Sequence, residues 1–223
     1  MMGTRKISFG ELVEGGINSP SLIILLGKPG TAKFFIAVHF ILEGLKNDEI
    51  CAYICVNYPP EKVRKTMKQF SDVEVYEKEK RLIFVDAFTG RFGESKEEYF
   101  IEDPYDFTLY DGLIRILRNK KVDRVALESF DFIKFQPEEG LKLLKRFHVL
   151  VEEGNCLGLF IVNEGALSKD LETALRSSGD VTLHTYRKDN KFFITVDRMR
   201  MMPHSYQKAR IELRSNGVNM YRF

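Results

Sequence analysis

Hydrophobic positions follow two different rhythms along this chain. Short, nearly continuous apolar runs occur at Ser21 to Leu26, Ile50 to Val56, Arg81 to Asp86, Val122 to Glu128 and Cys156 to Val162. Runs of that length predict strands buried on both faces, as in a parallel sheet. Between them lie stretches of helical period. Ala32 to Lys46 places Phe35, Val38, His39 and Leu42 along one side. Glu61 to Phe70 follows Asn57-Tyr58-Pro59-Pro60, with the prolines set before a first turn. Asp103-Pro104 predicts an N-cap and first helical position for a helix reaching about Asn119. Pro137 to Glu153 predicts a long amphipathic helix stopped by Gly154. Ser168 is placed to cap a short helix ending near Arg176. Ala87 to Tyr99 is charged and without clear period, so it reads as a long loop of the kind that is often functional or mobile.

The tail changes character. Val181 to Tyr186, Phe192 to Arg198, Arg210 to Arg214 and Val218 to Phe223 read as short strands. Lys188-Asp189-Asn190 and Ser215-Asn216-Gly217 read as hairpin turns. Strand and helix alternate up to about residue 175, and antiparallel strands follow. The pattern predicts an α/β fold: a doubly wound, mainly parallel sheet with helices on both faces, extended by C-terminal antiparallel strands from about residue 180. With no repeat, linker or low-complexity tract, residues 1–223 read as a single domain.

Composition adds limits. Hydrophobic residues make up 44% of the 223, enough for a sizeable core. The 34 basic and 32 acidic residues leave a net charge of +2, which gives no global reason to expect nucleic acid or an anionic membrane as partner. No apolar run reaches the roughly 18 residues of a membrane span, and Met1 to Gly10 lacks a signal segment, so a cytoplasmic location is expected. Cys51, Cys55 and Cys156 form no C-x-x-C pair and read as reduced core thiols. Charged residues reach 30% and glutamine occurs only at Gln69, Gln136 and Gln207, which leans towards a thermophile.

The candidate chemistry sits in Gly27-Lys28-Pro29-Gly30-Thr31-Ala32-Lys33-Phe34. A phosphate-binding loop reads Gly, four residues, then Gly-Lys-Ser/Thr, between a strand and a helix. The first glycine and the lysine are present at the right spacing. Ala32 replaces the second glycine, and Phe34 replaces the hydroxyl residue that binds Mg²⁺. One reading is a phosphate site at Gly27, Gly30, Thr31, Ala32, Lys33 and Phe34. The other is a strand-to-helix turn of ancestral shape with no ligand.

Around this loop the chain resembles the KaiC-like branch of the RecA superfamily, archaeal proteins among them. Phe9-Gly10-Glu11-Leu12-Val13-Glu14-Gly15-Gly16-Ile17 is similar to the branch's L-x-G-G-I segment before the loop strand. Val125-Ala126-Leu127-Glu128-Ser129 resembles a Walker B strand, which usually ends in Asp-Ser. Asp180-Val181-Thr182-Leu183 and Val196-Asp197-Arg198-Met199-Arg200 resemble two further strands, the second with K-M-R. The resemblance implies a RecA-like fold, ATP or ADP as ligand, and assembly of identical subunits in which Arg198 and Arg200 reach a neighbour's phosphate. It also makes Glu128 the candidate catalytic and metal-holding acid. A solvated face of an edge strand is the other reading of Arg198 and Arg200.

The departures fall on the chemistry. Phe34 offers no oxygen to a metal. Glu128 is one methylene longer than the usual aspartate. Asn57 stands where the family usually has a glutamate that polarises water, and an amide cannot act as general base. The chain therefore reads as a non-catalytic or weakly active member that works by nucleotide binding or assembly, with Mg²⁺ of little or no importance to binding, or with no ligand at all. The alternatives are an atypical ATPase with a base from the loop after Asp86, and a nucleic-acid-binding recombinase paralogue. Lys62, Arg64, Lys65 and Lys68 would serve the last, but Glu61, Asp72, Glu74, Glu77 and Glu79 intersperse them and predict a mixed surface, so nucleic acid is not the expected partner. An unidentified protein partner stays open. His39, His148, His184 and His204 show no diagnostic spacing, Glu138-Glu139 and Glu152-Glu153 read as solvated, and Met199, Met201 and Met202 read as packing.

Overall fold

A computed structural model describes residues 5–12, 16–200, 208–214 and 217–222. Val13 to Gly15 of the glycine-containing segment, Met201, Met202, His204 and the Ser215-Asn216 turn lie outside the described residues.

In chain order the elements are β1 (Arg5–Ile7), β2 (Ser21–Gly27), α1 (Lys33–Lys46), β3 (Cys51–Cys55), α2 (Pro60–Met67), α3 (Val73–Lys78), β4 (Leu82–Asp86), β5 (Tyr99–Phe100), α4 (Leu109–Asn119), β6 (Arg124–Leu127), α5 (Pro137–Gly154), β7 (Leu157–Asn163), α6 (Lys169–Ser178), β8 (Val181–Lys188), β9 (Lys191–Met199), β10 (Lys208–Arg214) and β11 (Gly217–Arg222). All strands join one sheet in the order β1-β11-β10-β9-β8-β2-β7-β6-β3-β4-β5. The seven from β8 to β5 run parallel, and β9, β10, β11 and β1 continue the sheet antiparallel.

Strand alternation sends side chains to two cores. Ile23, Leu25, Tyr53, Cys55 and Phe84 pack with Ile36, Phe40 and Ile41 of α1 and with Val63 and Val73 of α2 and α3. Leu22, Ile24, Leu26, Ile54 and Val125 pack on the other face with α4, α5 and α6 through Tyr110, Leu144, Phe147 and Leu171. Helices therefore cover both faces, and the expected doubly wound fold with C-terminal antiparallel strands is present.

Several boundaries differ from the sequence expectation. The helix expected from Asp103 begins at Leu109. Asp103 Oδ1 accepts from Tyr105 N–H at 2.8 Å, and Asp106 Oδ1 accepts from Thr108 N–H at 3.0 Å, so two successive aspartate turns delay it. Gly154 does not stop α5; Asn155 takes the left-handed position, with φ 50°. The helix after Pro60 ends at Met67, and Val73–Lys78 forms a separate turn of helix. The expected loop 87–99 hands over to a two-residue edge strand paired to Val85 and Asp86. By contrast, Ser168 caps α6 through Leu171 N–H at 3.3 Å as expected. Asp189 and Asn190 both take positive φ, 48° and 58°, which gives the β8–β9 hairpin its two-residue turn.

Candidate functional site

The loop leaves β2 at Gly27, whose φ is +154°. A Cβ there would lie 2.2 Å from Thr185 Oγ1 and 2.5 Å from the Thr185 carbonyl, so this position has room only for glycine. Thr185 Oγ1 lies 3.1 Å from Leu26 O and 2.7 Å from Thr31 Oγ1, and its single proton serves one or the other. Thr31 Oγ1 also donates to Lys28 O at 2.7 Å, so Thr31 is spent on holding the loop shut. Gly30 has φ +78° and Ala32 φ +70°, both left-handed. That conformation costs alanine about 1 kcal/mol or more. The loop thus takes its bend at Ala32 without the usual glycine, and α1 begins one residue later than the sequence suggests.

Lys33 is buried and turned onto the loop: its Nζ donates to Gly27 O at 2.6 Å and Lys28 O at 2.8 Å. Burial pulls its pKa down to about 8, against the pull of the Asp131 and Glu164 charges. Asp131 accepts from Asn163 N–H at 2.7 Å and is held by Ser129 Oγ at 3.2 Å. Glu164 lies 3.4 Å from His184 Nε2.

A cavity of about 550 Å³ opens beside the loop. It is lined by Pro29 to Phe35, by Asn57, Tyr58, Lys62 and Thr66 behind β3, by Glu128, by Ile161 and Asn163 of β7, and by Phe192 and Leu213 of the antiparallel extension. Phe34 stands edge-on to Phe35 and to Tyr58, with centroids 5.4 and 5.5 Å apart, and Lys62 Nζ lies 4.1 Å from the Tyr58 ring centroid. An aromatic cluster therefore occupies the place the motif reserves for a metal-binding hydroxyl.

Glu128 is only 4% exposed. Its Oε2 accepts three backbone N–H groups, Val56 at 3.0 Å, Asn57 at 2.8 Å and Tyr58 at 3.2 Å. Its Oε1 is buried with no hydrogen-bond partner. Burial raises the carboxyl pKa to about 7, although the amides of Asn57, Val56 and Tyr58 pull the other way. One oxygen thus closes the end of β3, while the carboxyl lines the cavity. Among the described residues it is the sole acid that does so, and no residue of 87–99 lines it. Asp86, at the start of that loop, is itself committed: its Oδ1 accepts from Phe88 and Thr89 N–H at 2.9 and 2.8 Å. Asn57 contributes its main-chain N–H to Glu128, and its exposed side chain faces the cavity's rim.

The residues do not fit a Mg²⁺ ion held as in a hydrolysing site. Phe34 has no oxygen, and half of the Glu128 carboxylate is taken by main-chain amides. They do fit a phosphate. The first amides of a helix are unpaired within it, and this helix starts at the left-handed Gly30–Ala32 turn beside a lysine.

Arg198 and Arg200 lie at the other end of the sheet. Gly27 pairs with Thr185 of β8, whereas Met199 pairs with Val181. Arg198 donates to the carbonyls of Arg176, Ser177 and Gly179 at 3.0, 3.1 and 3.1 Å. Arg200 donates to Ser177 O at 2.9 Å. Both cations cap the C-terminus of α6, where unpaired carbonyls and the helix dipole favour them. Among the described residues β10 pairs with β9 only from Phe192 to Thr195, so that pairing does not reach Arg198 or Arg200. The basic run on α2 is paired as expected of a mixed surface: Arg64 with Glu77 and Glu97 at 2.8 and 2.9 Å, and Lys68 with Glu74. The cysteines are buried and free, and burial pushes the Cys156 thiol up to about 12. No helix among the described residues is long and apolar enough to cross a membrane.

Sequence reasoning missed Tyr58, Thr66, Asn163, Phe192 and Leu213 as cavity walls. They come from five places along the chain and carry no motif. Glu128 was found through its place in the order of motifs.

Loop, strand order and Glu128 together define a RecA-like P-loop protein. The chain belongs to the KaiC ATPase family: a family model described as "ATPase: KaiC" matches residues 5–222. It is similar to a UPF0273 protein of Thermotoga maritima, 27% identical over 95% of this chain and 91% of that one. A UPF0273 protein of Pyrococcus horikoshii is 27% identical over 98% and 94% of the two chains. The fold is similar to the crystal structure of a KaiC-like protein from Pyrococcus horikoshii, with a TM-score of 0.74 at 19% identity, covering 98% of this chain and 100% of that one.

Proposed function

We propose that this protein binds a nucleoside di- or triphosphate at Gly27 to Lys33 with little or no hydrolysis, and acts through binding and assembly. The observation that carries this reading is the commitment of Glu128. Its Oε2 closes the end of β3 through three amides, in a cavity where Phe34 and Asn57 supply neither a metal ligand nor a base. Phosphate binding draws Lys33 away from the Gly27 and Lys28 carbonyls and places its charge on the ligand. Mg²⁺ adds little to affinity because no hydroxyl follows the lysine.

Titration calorimetry with ATP and ADP, with and without Mg²⁺, tests this. Binding in EDTA within about threefold of that in Mg²⁺, lost in Lys33→Ala, is expected. Strictly Mg²⁺-dependent binding would defeat it. A second reading, weak ATP hydrolysis, is favoured by one feature: Glu128 Oε1 is unpartnered at the cavity. Phosphate release faster than ~1 min⁻¹ that Lys33→Ala abolishes would establish it, against about 10 s⁻¹ for an ordinary enzyme.

A further inference from the structure

Far from the loop, at the opposite end of the parallel sheet, His148, Glu152 and Asp180 bring three ligand atoms within 4.8 Å of one another. His148 and Glu152 stand one turn apart on α5, and Asp180 sits just before β8. His148 Nε2 lies 3.1 Å from Asp180 Oδ2 and 3.5 Å from Glu152 Oε1. A tetrahedral ion with bonds of about 2.0–2.1 Å has ligand-to-ligand edges of about 3.4 Å, so both separations suit a shared ion with small side-chain adjustment.

The cluster is held from behind. Asp180 Oδ2 accepts Leu22 N–H at 2.8 Å, which orients the carboxylate. The Asp180 N–H donates to Leu22 O at 2.8 Å, and its carbonyl accepts Arg200 N–H at 2.7 Å, so its main chain is clamped on both sides. Such outer hydrogen bonds fix ligand orientation in metal sites. The His148 and Asp180 side chains are 23% and 18% exposed, while Glu152 at 55% closes the set from the solvent side. Two carboxylates and a neutral imidazole carry the charge that a divalent ion balances. Lys145 borders this surface, Arg198 donates to the neighbouring Gly179 O at 3.1 Å, and Glu153 is taken by Arg118 at 2.6 Å.

We propose that His148, Glu152 and Asp180 form a site for one first-row divalent transition ion of the zinc class, with water completing its shell. The imidazole selects such ions over Mg²⁺ and Ca²⁺, which prefer oxygen-only shells. The ion ties α5 to the corner between α6 and β8, the corner onto which Arg198 and Arg200 are hooked. The competing account is a protonated His148 in plain ion pairs, which has no use for a metal.

Metal-free protein is titrated with ZnCl₂ in a calorimeter and with CoCl₂ under visible absorption. One equivalent of each is expected, unaffected by millimolar Mg²⁺, with at least about tenfold weaker binding in both His148→Asn and Glu152→Gln. Both residues are partly exposed, so these variants are expected to keep the wild-type circular dichroism and nucleotide binding. No uptake by the wild type, uptake unchanged in either folded variant, or displacement of Co²⁺ by Mg²⁺ would overturn the site.

Discussion

Two buried ionisable groups define the candidate site, and their shifts have opposite consequences. Glu128 titrates near 7 rather than 4.5, so between those values the folded chain holds a proton that the unfolded chain has released. Stability from this group is therefore present at acid pH and falls as pH rises to about 7, by about 3 kcal/mol in total. Glu128→Gln removes that dependence, while its amide oxygen still accepts from Val56, Asn57 and Tyr58. In urea unfolding, wild type is expected to lose more stability than the variant between pH 5 and pH 8, by roughly 2–3 kcal/mol. Equal losses would show that the buried carboxyl stays ionised. The Lys33 ammonium, its pKa lowered to about 8, gives up its proton more readily in the folded chain than in the unfolded one, so stability rises between about 8 and 10.5. For the proposed phosphate ligand, affinity is expected to fall over the same range, because the neutral amine no longer pairs with it.

Among elements, β2 and the loop depend on β8, whose Thr185 lies 154 residues from Thr31 and 159 from Leu26. Gly27→Ala is expected to destabilise by about 3 kcal/mol or more, because its Cβ would press on both the hydroxyl and the main-chain oxygen of Thr185. Guanidinium unfolding reads the loss, and a cost below about 1 kcal/mol would mean that the β2–β8 contact yields easily. This contact also shows where the sequence was legible. The run 21–26 announced its strand because both faces are apolar, and Ser168 announced its helix because capping is local. Asp103-Pro104 misled because Asp103 and Asp106 each used a local turn before α4 could start. The strands β1 and β5, of three and two residues, owe their form to partners, Met220 to Arg222 and Val85 to Asp86. Motif order located Glu128 and the loop. It did not reveal that Glu128 is bound to amides some 70 residues earlier, or that Asp180 approaches His148 across the sheet. Both contacts exist only once the strand order is set.

For the whole molecule, the sheet's margins limit how copies can meet. The outermost strands, β1 and β5, are short, and short edges resist strand-to-strand addition. We propose that assembly of identical subunits works through side chains. Arg198 donates to three carbonyls at the end of α6. Arg200 is exposed, and among the described residues its guanidinium meets Ser177 O. If the family resemblance extends to assembly, Arg200 is the residue that reaches the next subunit's phosphate, and nucleotide should strengthen the contact. Light scattering on a sizing column is expected to show more than one subunit per particle, increasingly so with ATP. Arg200→Ala is expected to return the particle to one subunit with its unfolding free energy within about 1 kcal/mol of wild type, the scale of one hydrogen bond and a helix-end charge. A wild type that stays monomeric with and without nucleotide removes the assembly reading and leaves nucleotide binding to stand alone.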